Sequence, residues 1–186
     1  MRPIGRIGTL AIAALLPAVT QAATVSGEYY ATQYDYREFY NAVDNKNFLV
    51  VVKGVPFPGL GPDEGARRLL PIMQAAKPPP RLTFTYDQPA EPQHPDYRMV
   101  LVFDPANDLG AASVCKGAER HKAATPGRLY VYAVYCRNDM ALSEAVGRTS
   151  ATAPDEPDML DLYKSLLRTL FSASELLRQD HKPPNR

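Results

Sequence analysis

The chain has 186 residues, 45% of them hydrophobic and 22% charged, with 21 basic and 20 acidic side chains and a formal net charge of +1. Balanced charges, mixed along the chain and forming no block, leave no strong field for nucleic acid or an anionic membrane. The length points to one domain, large enough to bury about two thirds of its unfolded surface.

The N-terminus, MRPIGRIGTLAIAALLPAVTQAA, opens with Arg2 and Arg6, continues apolar from Ile7 to Val19, and ends in small residues. That is the layout of a secretory signal peptide, residues 1–22, with cleavage expected after Ala22. The apolar run is short of the roughly 20 residues needed to span a bilayer, and Pro17 also argues against a retained anchor. No cysteine near the cut offers a lipid attachment point. The remaining chain is then an exported domain, residues 23–179, with a disordered tail at 180–186. Losing Arg2 and Arg6 leaves 19 basic against 20 acidic residues. The two cysteines, Cys115 and Cys136, read as a disulfide in an exported protein.

YYATQYDYREFY holds Tyr29, Tyr30, Tyr34, Tyr36 and Tyr40, five of eleven tyrosines. Tyr36, Phe39, Tyr40 and Val43 fall on one helical face. Asp35 caps that helix and Glu38 stands where a capping box would place it. Tyr30 to Tyr34 read as an extended lead-in or a short edge strand. NFLVVVKG, 47–54, is β-branched and apolar, a buried strand. GVPFPGLGP follows as a rigid loop. Residues 62–77 predict a helix with Pro62 and two acids in its first turn and a kink at Pro71. RLTFTYD, 81–87, alternates as a half-exposed strand. DYRMVLVFD, 96–104, and GRLYVYAVYC, 127–136, predict two central strands. Long irregular connections lie between and after them, at 105–126 and 137–154. Residues 155–179 predict the clearest helix, capped by Asp155, with Pro157 and Asp158 in its first turn. After the short first helix the order is β-α-β-β-β-α: an α+β two-layer domain, one mixed or antiparallel sheet with helices packed on one face.

Chemistry-bearing residues are sparse. His94, His121 and His181 lie in loops or in the tail, and no serine sits in a GxSxG turn. Cys115, His121 and Cys136 can be written as a metal set, but oxidation of both thiols competes and a fourth ligand is missing. DPANDLG, 104–110, offers oxygen donors without the alternating spacing of a calcium loop, and reads as a strand exit. Three prolines in GVPFPGLGP remove amides that a phosphate cradle needs. Tyr130, Tyr132 and Tyr135 are expected to pack in the sheet. Tyr29, Tyr30 and Tyr34 remain as a possible aromatic binding patch.

Several segments together resemble an uncharacterised family of exported bacterial proteins. They are YDYREF followed by NFLVVVKGVPF, the DYRMVLVFDP strand, the later cysteine, and CRNDMALSEA after the second central strand. They cover most of the exported chain in the same order. The family usually carries a small amide residue where this chain has Val55. The resemblance implies export and the cysteine pair, and brings no activity, catalytic residue, metal or cofactor. In element order the chain also resembles small α+β envelope lipoprotein domains, an analogy of fold alone. The expectation is a periplasmic or secreted accessory or binding protein without a catalytic site. Its partner would be an unknown envelope protein or a small ligand, with no nucleic acid and no membrane span after cleavage. The alternatives are a small-ligand or glycan carrier using the aromatic patch, and a hydrolase whose site is assembled from scattered residues.

Overall fold

The computed structural model describes residues 22–88 and 95–174. The expected signal peptide, but for its last residue, and the expected tail lie outside them. The described residues form six strands and four helices. In chain order these are β1 (Thr24–Tyr30), α1 (Tyr36–Val43), β2 (Lys46–Lys53), α2 (Pro62–Ala76), β3 (Leu82–Thr85), β4 (Tyr97–Phe103), α3 (Ala111–Cys115), β5 (Leu129–Arg137), β6 (Met140–Thr149) and α4 (Pro157–Leu170). One sheet runs β1-β6-β5-β4-β2-β3. β2 is parallel to β3 and to β4, whereas β4, β5, β6 and β1 pair antiparallel. The fold is α+β with a mixed sheet.

Side-chain alternation assigns the two faces. Met99, Leu101 and Phe103 of β4 join the large core beneath α2 and α4, together with Phe39 and Val43 of α1. Val100 and Val102 point the other way, to a smaller cluster with Val114, Cys115, Val134 and Cys136. So α1, α2 and α4 cover one face. The short α3 covers part of the other, tied to β5 by the Cys115–Cys136 disulfide. Central strands apolar on both faces follow from this double coverage.

The irregular connection expected at 137–154 is instead the ten-residue strand β6. It leaves β5 through Asn138 and Asp139, with Asn138 at φ 51° in a two-residue turn. Its Ala, Ser, Glu and Gly content hides it, because those residues have weak strand preference. Packing demands them: a Cβ on Gly147 would lie 3.0 Å from Leu162 and 3.1 Å from Val131. The edge strand sits at 24–30 rather than at 30–34. The last helix starts at Pro157 with Glu156, not Asp155, at its N-cap. Glu156 Oε1 accepts from the amides of Thr152 and Ala153, which fixes the approach to the helix. α2 runs unbroken through Pro71. In α1 the Asp35 cap accepts from the Arg37 amide at 2.8 Å. Phe39 and Val43 are buried and Tyr36 packs partly buried against the core, as that face predicts, but Tyr40 is exposed.

Candidate functional site

The parallel strands β2 and β4 end side by side. Lys53 pairs with Val102, and the first residues beyond the two strands, Gly54 and Asp104, leave the sheet at φ 80° and 46°. Gly54 packs so closely on the β4 exit that a Cβ there would stand 2.7 Å from the Phe103 carbonyl oxygen. After Asp104 the chain doubles back. The Lys122 amide donates to the Asp104 carbonyl at 2.7 Å and the Ala106 amide to the Arg120 carbonyl at 3.0 Å. Between these two strands of the ribbon lies α3, held to Cys136 of β5. Residues 121–124 thus stand beside the carboxyl ends of the parallel strands, where open α/β sheets commonly bind ligands.

The result is an open depression of about 460 Å³. Val55, Pro58 and Phe103 form its apolar wall, and Asp104, His121 and Lys122 its polar part. Ala123 and Ala124 complete it. An adjoining depression of about 350 Å³ shares Pro58 and carries Thr125 and Arg128. Asp104 is only 6% exposed. No cation among the described residues forms an ion pair with it within 4 Å. Burial lifts its carboxyl above the usual carboxylate range, although Arg128, the Thr125 amide, Lys122 and His121 pull the other way. The Lys122 ammonium donates to Asn107 Oδ1 at 2.8 Å, a neutral partner, and acts on Asp104 through its charge without closing to ion-pair distance. The lining therefore holds a carboxylate, an imidazole and an ammonium, with no hydroxyl or thiol nucleophile of its own.

A second polar cluster occupies the opposite end of the sheet. Arg137 at the end of β5 donates to both oxygens of Glu38, at 2.7 and 2.9 Å, and the Tyr97 hydroxyl donates to Glu38 Oε1 at 2.5 Å. Glu38 serves this cluster instead of closing a capping box. Burial opposes its charge, but the bonds from Tyr97 and Arg137 and the Arg137 charge win, and its carboxyl sits below the usual range. Burial and the Glu38 bond push the Tyr97 phenol up to about 12. Beside this cluster, Tyr135 is fully buried, and no described group forms a hydrogen bond with its hydroxyl. These groups join α1, β4 and β5, and their bonds are spent on one another.

The expected aromatic patch does not assemble. Tyr29 is 47% exposed, but Tyr30 and Tyr34 are 5% and 3% exposed. Their hydroxyls donate to the carbonyls of Thr169 and Ser172, so both rings anchor the end of α4. A strand followed by a turn aims them inward, while Tyr29 faces away. Tyr132 is buried and bonds Glu144, and Tyr130 carries the Arg148 guanidinium over its ring at 4.7 Å. Cys115 and Cys136 are bonded to each other and offer no thiolate to a metal with His121. No group of three potential metal ligands occurs among the described residues. In DPANDLG the oxygens part company: Asn107 takes Lys122, Asp108 takes Arg120, and Asp104 turns into the depression. In sequence Asp104 reads as the first donor of an ordinary strand exit and His121 as a loop residue or the middle of a Cys-His-Cys set, and no local signal joins the two. His94 and His181 lie outside the described residues.

The fold and this depression define an α+β protein with a mixed sheet and a strand-end cavity. No family model matches the chain, and no curated protein matches it. Among solved structures, a PelC dodecamer from Paraburkholderia phytofirmans matches with a TM-score of 0.40 and 12% identity, over 82% of this chain and 99% of that one. So distant a likeness says nothing of function.

Proposed function

We propose that the protein is an exported, periplasmic binding protein of the cell envelope that works without a catalytic step, through the depression at the ends of β2 and β4. One observation carries the reading: a buried carboxylate and a cationic rim face an apolar wall in an open cavity whose lining offers no hydroxyl or thiol nucleophile. Small-molecule sites commonly combine an apolar lining with a few placed polar groups. Export is supported by the basic-apolar-small layout of residues 1–22 and by the bonded cysteines. No helix among the described residues is long and apolar enough to cross a membrane.

A photo-crosslinking amino acid at Ala124, introduced into the exported protein in cells, tests the site. Adducts at Ala124 and none at Tyr29 support it. Adducts at Tyr29 alone would move the function to the outer edge of β1. A hydrolase is the second reading, favoured by Asp104 and His121 lining the same cavity as an acid and a base. Turnover of chromogenic ester, phosphate or glycoside substrates, lost in Asp104→Asn and in His121→Ala, would replace the non-catalytic reading.

A further inference from the structure

The polar groups of the depression constrain what it can hold. A purely cationic ligand would approach Asp104 but also meet the Lys122 ammonium, which forms no ion pair among the described residues, with the Arg128 charge close by. A purely anionic one would meet Lys122 but also a carboxylate that is 6% exposed and without an ion pair among the described residues. Like-charge contact at short range disfavours each. An uncharged apolar ligand would cover Asp104 without pairing it, which strands a buried charge. A molecule with an ammonium and a carboxylate on one small body satisfies both groups. Its apolar side chain has a wall to rest on, formed by Val55, Pro58 and Phe103. The cavity, about 460 Å³, suits such a body and is small for a folded partner.

We propose that the depression binds a small zwitterion of the amino-acid or dipeptide class, its ammonium on Asp104, its carboxylate toward Lys122 and its apolar side chain on the Phe103 wall. This rests on the reading of the depression as the binding site. His121 stands at the rim, in an antiparallel bridge with Pro105 that keeps the wall in place. The bonds that tie Asp104 and Lys122 to the end of the sheet run through their backbones and do not depend on either side chain. Asn at position 104 keeps an acceptor for the Thr125 amide and tolerates the φ of 46°. Lys122 is exposed.

Amide-resolved NMR titration of the exported chain tests the proposal. The probes are L-phenylalanine and alanyl-phenylalanine, with N-acetyl-L-phenylalanine and L-phenylalaninamide as the forms lacking one charge. A free zwitterion is expected to give saturable shifts at Val55, Phe103 and Ala123, and each masked form to bind at least about tenfold more weakly. Asp104→Asn should erase the preference over the acetylated form, and Lys122→Met the preference over the amide. Masked forms that bind as well as free ones, or no saturable shift with either free zwitterion, would overturn the proposal. A cross-link at Ala124 without a zwitterion response would remove the ligand class and keep the site. Silence in both experiments would remove the underlying reading as well.

Discussion

Truncating Phe39 removes the ring at the centre of the aromatic core. Phe39 is 1% exposed and lies parallel to Phe171, with centroids 4.3 Å apart. It meets Tyr135 and Phe48 edge-on, at 5.4 and 5.9 Å. Phe→Ala in such a site costs about 3–5 kcal/mol, from lost transfer energy and the cavity left behind. Three ring contacts, each worth roughly 0.5–1.5 kcal/mol beyond area, place Phe39→Ala toward the upper end. For a domain of this size each kcal/mol lowers Tm by about 2–4 °C, so a fall of roughly 6–20 °C is expected. Urea denaturation followed by circular dichroism measures the same loss as a lower midpoint at unchanged slope. Tyr40→Ala, one residue on but 40% exposed, should change stability by no more than about 0.5 kcal/mol. A Phe39→Ala loss under about 1 kcal/mol, or equal losses from the two variants, would refute this placement of α1.

Glu38→Gln should cost about 1–3 kcal/mol at neutral pH by weakening the bonds from Arg137 and Tyr97. Because the Glu38 carboxyl lies below its unfolded value of about 4.3, its contribution is complete above that pH and fades as pH falls through the folded value. Wild-type and Glu38→Gln stability curves should converge there, and parallel curves would count against the cluster. Asp104 has the opposite sign. Its raised carboxyl gives the folded state most stability below the unfolded value of about 3.9, and this is lost as pH rises through the folded value. Asp104→Asn should therefore hold or raise Tm at pH 7, and a large fall would make Asp104 a structural group instead. Gly147→Ala should destabilise by about 1–3 kcal/mol, since the new methyl group meets Leu162 and Val131 beneath α4. An unchanged Tm for Gly147→Ala would mean that α4 shifts to admit it.

Most of the fold is legible in periodicity. β2, β4 and β5 read as buried strands because both faces of the central sheet are covered, and α4 because Met159, Leu162, Tyr163 and Leu166 form a continuous stripe. The failures have a shared cause. β6 is invisible to propensity because α4 and its neighbours require Ala145 and Gly147, small residues chosen by contact and not by strand preference. The inward turn of Tyr30 and Tyr34 depends on the end of α4, more than a hundred residues away in the chain. Local pattern carries what neighbours in sequence decide, and is silent where a distant element decides.

The depression is the stronger case of that rule. Asp104 looks like a strand exit, and a strand exit it is. It becomes a buried carboxylate only because 105–128 folds back over it, and that path depends on the Pro105–His121 bridge and on a cysteine bonded to the far end of β5. Val55 and Pro58 become its wall only because β2 is parallel to β4, so that loops fifty residues apart leave the sheet at the same end. No periodicity distinguishes a parallel from an antiparallel pair when the intervening chain is long enough for either. The functional groups of this protein are therefore ordinary residues in sequence, and strand direction is what brings them together.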